Sequence, residues 1–163
     1  MFQFNKILFA FFISVILLAN SANLFAHEHE HVHVHEQAKG KVTVENAWAR
    51  ATFALAKTGA VYLSIDNQSK NDIKLLSVSV DPSVASDAQL HEILMQDEMM
   101  LMREAEDGFE ISAGSSLEFL TGGKHIMLVD LEKPLSRGEN FVLSLIFEKN
   151  KVMRVPIEVK DAR

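Results

Sequence analysis

Residues 60–66 read Ala-Val-Tyr-Leu-Ser-Ile-Asp. Val61, Leu63 and Ile65 fall on one side of a period-two pattern, with Tyr62 and Ser64 on the other. This alternation marks a strand with one buried face. It recurs in both directions. Lys41–Glu45 sets Val42 and Val44 on one side, and Ile73–Val80 follows a turn at Asn67–Asn71. Asp81-Pro82 interrupts the pattern, and residues 83–88 suit a single helical turn but not a full amphipathic helix. Leu90–Met95 and Met99–Arg103 read as two arms of a hairpin. Gly108–Ser112, Ser116–Leu120 and Lys124–Leu131 supply further strands, with turns at Gly114 and Gly122-Gly123. Phe141–Glu148 and Val152–Val159 form a terminal hairpin around Lys149-Asn150. Roughly eight to ten short strands with regular turn signals predict an all-β sandwich or small barrel. The charged stretch Lys151–Lys160 is expected on a sheet edge, where charge discourages pairing with other chains.

The flanking sequence places this domain outside the cytoplasm. Lys6 precedes an apolar run from Ile7 to Leu18, and small residues lead to Ala26. That is the layout of a cleaved secretory signal over residues 1–26. The apolar run, roughly twelve residues, is too short to span a bilayer comfortably, so no stable membrane insertion is expected after cleavage. Residues 27–40 (HEHEHVHVHEQAKG) are polar and low in complexity, and read as a mobile tail. Residues 41–163 are expected to form one domain. The formal net charge of −6 and the lack of a long Lys/Arg patch exclude a nucleic-acid binder. There is no cysteine, which removes disulfides, thiolate ligands, a cysteine-linked lipid and a blue-copper centre. No nucleophile motif or phosphate-binding glycine loop points to an enzyme.

What remains is a soft-ligand constellation. If the hairpin turns between Gln96 and Asp97, His91 faces Met102, with Cβ atoms about 4.5–5.5 Å apart. His125 and Met127 are separated by one residue and share a strand face, while Ile126 and Leu128 point into the core. Two imidazoles and two thioethers, all neutral, favour Cu(I) over Zn²⁺ or Ca²⁺. A lone methionine is ordinarily core filling, and a lone strand histidine is ordinarily a hydrogen-bonded polar residue. Outside the tail, however, this chain has only these two histidines, and each pairs with a methionine. Met95, Met99 and Met100 near the turn read first as core or surface-apolar residues. Met100, on the predicted His91 face, is the best auxiliary ligand of the three. Met153 reads as structural.

The tail is a second metal-seeking element. His27, His29, His31, His33 and His35 alternate, and clustered imidazoles favour Cu(II), Ni²⁺ and Zn²⁺. Cleavage after Ala26 would make His29 the third residue. A free amine, two amides and that imidazole would then form a square-planar Cu(II) chelate. The competing functional reading is a copper or zinc buffer that acts mainly through this tail.

At this point the chain resembles the PCuAC family of periplasmic copper chaperones. The resemblance covers nearly all of residues 42–159, including Asn46-Ala47-Trp48-Ala49-Arg50-Ala51-Thr52 and Gly59-Ala60-Val61-Tyr62-Leu63. The family motif is a histidine, ten residues, a methionine, about twenty-two residues, then His-x-Met. It falls on His91, Met102, His125 and Met127, with Gly122-Gly123 just ahead. The resemblance implies a cupredoxin-like Greek-key β-sandwich binding one Cu(I) near its surface. It also implies delivery to the copper centre of a respiratory oxidase subunit, directly or through a thiol-bearing assembly protein. Two positions depart from the family. Glu98 stands where glycine is common in the turn, and Lys124 stands where an apolar or aromatic residue is frequent. Trp48 is expected in the core.

Overall fold

The computed structural model describes residues 42–96 and 98–161. The segments assigned above to a signal and a histidine-rich tail lie outside the described residues. Ten strands follow in order: β1 Val42–Arg50, β2 Thr58–Asn67, β3 Ile73–Val80, β4 Ala85–Gln96, β5 Met99–Glu104, β6 Phe109–Ile111, β7 Ser116–Phe119, β8 His125–Leu131, β9 Asn140–Phe147 and β10 Lys151–Lys160. No helix among the described residues is long and apolar enough to cross a membrane.

The strands are hydrogen-bonded in the order β5-β4-β8-β2-β1-β10-β9-β3-β6, and β7 pairs with β2. Every pairing is antiparallel except that of β1 with β10. β2 serves two partners along one edge: Thr58–Val61 pair with β8, and Leu63–Asp66 pair with β7. β1 shifts register between Glu45 and Trp48, where Asn46 takes a φ of 54°. Beyond that bulge it also pairs with β10, so one strand joins the two parts of the ribbon. The result is a cupredoxin-like β-sandwich. Its core includes Leu63, Phe119, Ile126, Leu143 and Ile157. Every one of these sits at the inward phase of a period-two pattern.

Several expectations are revised. Residues 85–88 are not a helical turn. Ala85, Asp87 and Ala88 pair with Leu131, Val129 and Leu128 of β8, so a long-range partner captures the segment into β4. β10 is not an edge, because it lies between β1 and β9. Its charges are exposed by alternation instead: Arg154 and Glu158 point out while Val155, Ile157 and Val159 are buried. Pro156 is tolerated because β1 joins β10 only from Glu158 onward. The terminal hairpin turns as expected, with Lys149 and Asn150 both left-handed at φ 60° and 57°, the pair of angles a type I′ turn requires.

One buried polar residue ties the far end of the sandwich. Asn67 is 1% exposed. Its Nδ2 donates to the carbonyls of Asn71, Ile111 and Ser112 at 2.9, 2.8 and 3.2 Å. Its Oδ1 accepts from the Ser69 amide and hydroxyl. These bonds clamp the turn after β2 to the end of β6. Asn67→Asp keeps the shape but sets a carboxylate against three carbonyls. We expect a loss of about 3 kcal/mol, read as a lower urea midpoint at neutral pH.

Candidate metal centre

Leu90 of β4 and Ile126 of β8 are register partners, and both point into the core. Alternation sends the next residue out on one strand and the preceding residue out on the other. These are His91 and His125, and they stand directly opposite each other. Their ring centroids are 5.6 Å apart, with planes at 54°. The neighbouring rows on this outer face follow from the same register. Gln89 faces Met127, and Met127 faces Ala60 of β2. On the other side His91 faces Glu104, and Ile93 faces Met102.

Met102 is therefore not opposite His91. The hairpin pairs Gln96 with Met99, so its centre falls between positions 97 and 98 and the register moves by two. Glu98 takes the left-handed φ of 63°, a conformation more at home with glycine. A shift of two preserves the face. Met102 lies diagonally from His91, where Cβ atoms are about 7–8 Å apart or somewhat closer, within reach of long side chains. The four residues singled out from spacing thus occupy one outer face of three adjacent strands. The imidazoles are almost fully covered, at 9% and 8% exposure, Met127 is half-buried, and Met102 is 57% exposed. Among the described residues no three His, Cys, Asp or Glu converge on one point. Thioethers are the soft donors beside the imidazole pair.

Hydrogen bonds assign the tautomers. His125 Nδ1 donates to the Gly123 carbonyl at 3.0 Å, which leaves Nε2 with its lone pair. For His91 the roles are reversed. Nε2 donates to Gln89 Oε1 at 3.1 Å, and Nδ1 is buried without a partner. Gln89 is oriented in turn by its Nε2, which donates to Asp87 Oδ2 at 3.0 Å. Each ring thus offers one unprotonated nitrogen and anchors the other, the arrangement in which an outer partner fixes a ligating histidine. A buried, unpartnered ring nitrogen is costly when nothing occupies it. The donor set fits a soft, singly charged cation.

Gln89, Gly123 and Glu104 were not singled out as site residues from sequence. Gln89 was legible in principle, since it stands two residues before His91 on the same strand face. Gly123 sits in the loop joining β7 to β8, held by Leu120 N–H to Lys124 O at 2.7 Å and Gly123 N–H to Leu120 O at 3.0 Å. Lys124 does not crowd the imidazoles. Alternation turns it to the other face, where its Nζ lies 5.4 Å over the Phe109 ring. Trp48 is half-buried on the outer face rather than in the core, with its ring 4.9 Å from that of Tyr62. Arg50 covers Tyr62 at 5.9 Å. Met95, Met99 and Met100 are exposed, the surface-apolar alternative of the two expected, while Met153 packs against the core as expected.

Burial holds the His91 imidazolium below its ordinary range near ~6.5. The nearby His125 adds to this, and the Glu104 carboxylate opposes it. The unfolded chain therefore binds this proton more readily than the folded chain. The stability His91 contributes is present above ~6.5 and is lost as pH falls toward its folded value. Wild type should lose more stability between about pH 7 and pH 5 than His91→Gln. Equal shifts in urea midpoint for the two chains would contradict this reading.

Known proteins share this architecture. The model of the family described as "Putative lipoprotein LpqE-like" matches residues 42–159. A protein of Leifsonia xyli subsp. xyli, "Putative lipoprotein Lxx21020", is 36% identical over 125 residues, covering 77% of this chain and 72% of the relative. Among solved structures, the copper-bound PCuAC domain from PmoF2 superposes with a TM-score of 0.60 at 22% identity, covering 76% of this chain and 95% of that one. Apo-DR1885 from Deinococcus radiodurans gives 0.57 at 27% identity, with 74% and 79% covered. The match along residues 42–159 and the shared sandwich lead to one assignment: the chain belongs to the LpqE-like family and has the fold of the PCuAC domains.

Proposed function

We propose that this non-enzymatic domain is an exported carrier of Cu(I), held by His91, His125, Met102 and Met127. The observation that carries the reading is the imidazole pair, in which each ring is anchored through one nitrogen and leaves the other free. Thioethers flank the pair on the same face. Such donors need no deprotonation near neutral pH, and their softness selects Cu(I). The copper-bound and apo PCuAC structures support a copper cargo. The apolar segment ahead of the domain and the lipoprotein description of the family support export to the periplasm.

The uneven exposure of the donors suits a carrier. The imidazoles lie beneath the surface and give affinity. Met102 stands open, so a thiol-bearing acceptor can displace it first and draw the ion off by ligand exchange. We propose that the acceptor is an oxidase copper subunit or its assembly protein. Glu104, directly across from His91, offsets the single positive charge that a loaded site would carry. The five alternating histidines favour a second reading, in which the tail buffers Cu(II) or zinc and does the main work.

Deleting residues 27–36 separates the two readings. We expect the shortened protein to keep one tightly held Cu(I), and the His91→Ala/His125→Ala variant to lose it. X-ray absorption on the reduced, shortened protein should show nitrogen and sulfur in the copper shell, with sulfur falling in Met102→Leu and in Met127→Leu. A shell without sulfur defeats the assignment. Gln89→Leu removes the partner that orients His91, and should weaken Cu(I) binding by about tenfold or more in a chelator competition.

A further inference from the structure

We propose that the β4–β5 hairpin carries a second, weaker Cu(I) site made of thioethers alone, from Met95, Met100 and Met102. It loads the imidazole site beside it, and the inference rests on the Cu(I) reading above. Met95 and Met100 are direct register partners, and Met102 lies one row further along β5. All three share the outer face on which His91 stands, one row beyond Met102. Their exposures are 68%, 65% and 57%.

Gap filling does not account for them. A methionine used for packing lies against the core, as Met153 does. β5 is the terminal strand of the ribbon, and all six of its residues are exposed. Opposed residues on paired strands have Cβ atoms about 4.5–5.5 Å apart, and flexible thioether arms can close the rest. Of the charged residues of the hairpin arms, Glu92 and Arg103 fall by alternation on the opposite face, and Glu104 shares the triad's face one row beyond Met102, opposite His91. The methionine triad therefore offers soft neutral donors with no carboxylate in their own two rows, a set that favours Cu(I) over Zn²⁺ and Ca²⁺. It is the weaker site, because it is open to water and has no imidazole.

Met102 belongs to both sites, which gives the ion a continuous route. Copper held by Met95, Met100 and Met102 keeps its bond to Met102 while His91 and His125 replace the other two. Each step exchanges one neutral ligand for another. The ion stays Cu(I) and no proton or electron moves.

The test is an anaerobic Cu(I) titration of the full chain labelled with ¹³C at the methionine methyls. The tail histidines contribute no methionine signal. The first equivalent should shift Met102 and Met127. Further copper should shift Met95 and Met100 and move Met102 again. Met99, on the opposite face, and Met153 should stay in place. In Met95→Leu/Met100→Leu, an exposed and nearly isosteric exchange, the second step should vanish and the first remain. Unmoved Met95 and Met100 in severalfold excess copper overturn the hairpin site. Equal movement of Met99 also overturns it. Movement of Met95, Met100 and Met102 with Met127 silent throughout upholds the hairpin site and defeats Met127 as a ligand of the imidazole site.

Discussion

Leu90 and Ile126 hold each other in the core, and that pairing sets where the two histidines of the candidate site stand. Burial of each side chain is worth about 1.5–3 kcal/mol, and the β4–β8 register is fixed by it and by Leu128 facing Ala88. A slip of one residue would turn these apolar groups outward and the histidines inward. The core register thus keeps His91 and His125 opposed.

The electrostatics follow from that placement. His91 is costly to charge where water is scarce, and a charge on the neighbouring His125 would repel it. The fold keeps His91 neutral by burial and by its neighbour, and tempers this with Glu104 opposite. Hydrogen bonds to Gln89 and Gly123 then decide which nitrogen of each ring is available. On the proposed reading these neutral donors suit a monovalent guest, since a divalent ion would bring more charge than one nearby carboxylate offsets.

Alternation made most of the strands legible, because each inward phase had to be apolar. β2, β3 and the terminal hairpin match their expected spans closely. The same reasoning placed His125 with Met127, and His91 on the face of Met102. Sequence did not reveal that β4 and β8 are neighbours. The opposition of the two histidines joins positions 34 residues apart, and local pattern does not encode such long-range pairing. The hairpin register was misjudged by two, because Glu98 adopts a left-handed turn conformation that its residue type does not advertise. The start of β4 was missed because its pairing partner, β8, overrides a weak local signal. Trp48 was misplaced because aromatic size suggests a core, whereas Tyr62 gives it a platform on the outer face.

The openness of the methionine row has a chemical cost as well as a use. A thioether within reach of an incoming ion is also within reach of peroxide. Oxidation to the sulfoxide turns a soft sulfur donor into a hard oxygen one and makes an apolar side chain polar. Met95, Met100 and Met102 are exposed to this reaction, while Met127 is partly shielded. The hairpin is therefore where an oxidant would meet this protein's thioethers first. Damage there would leave the sandwich folded and its imidazoles in place, while making polar the open face that stands beside them.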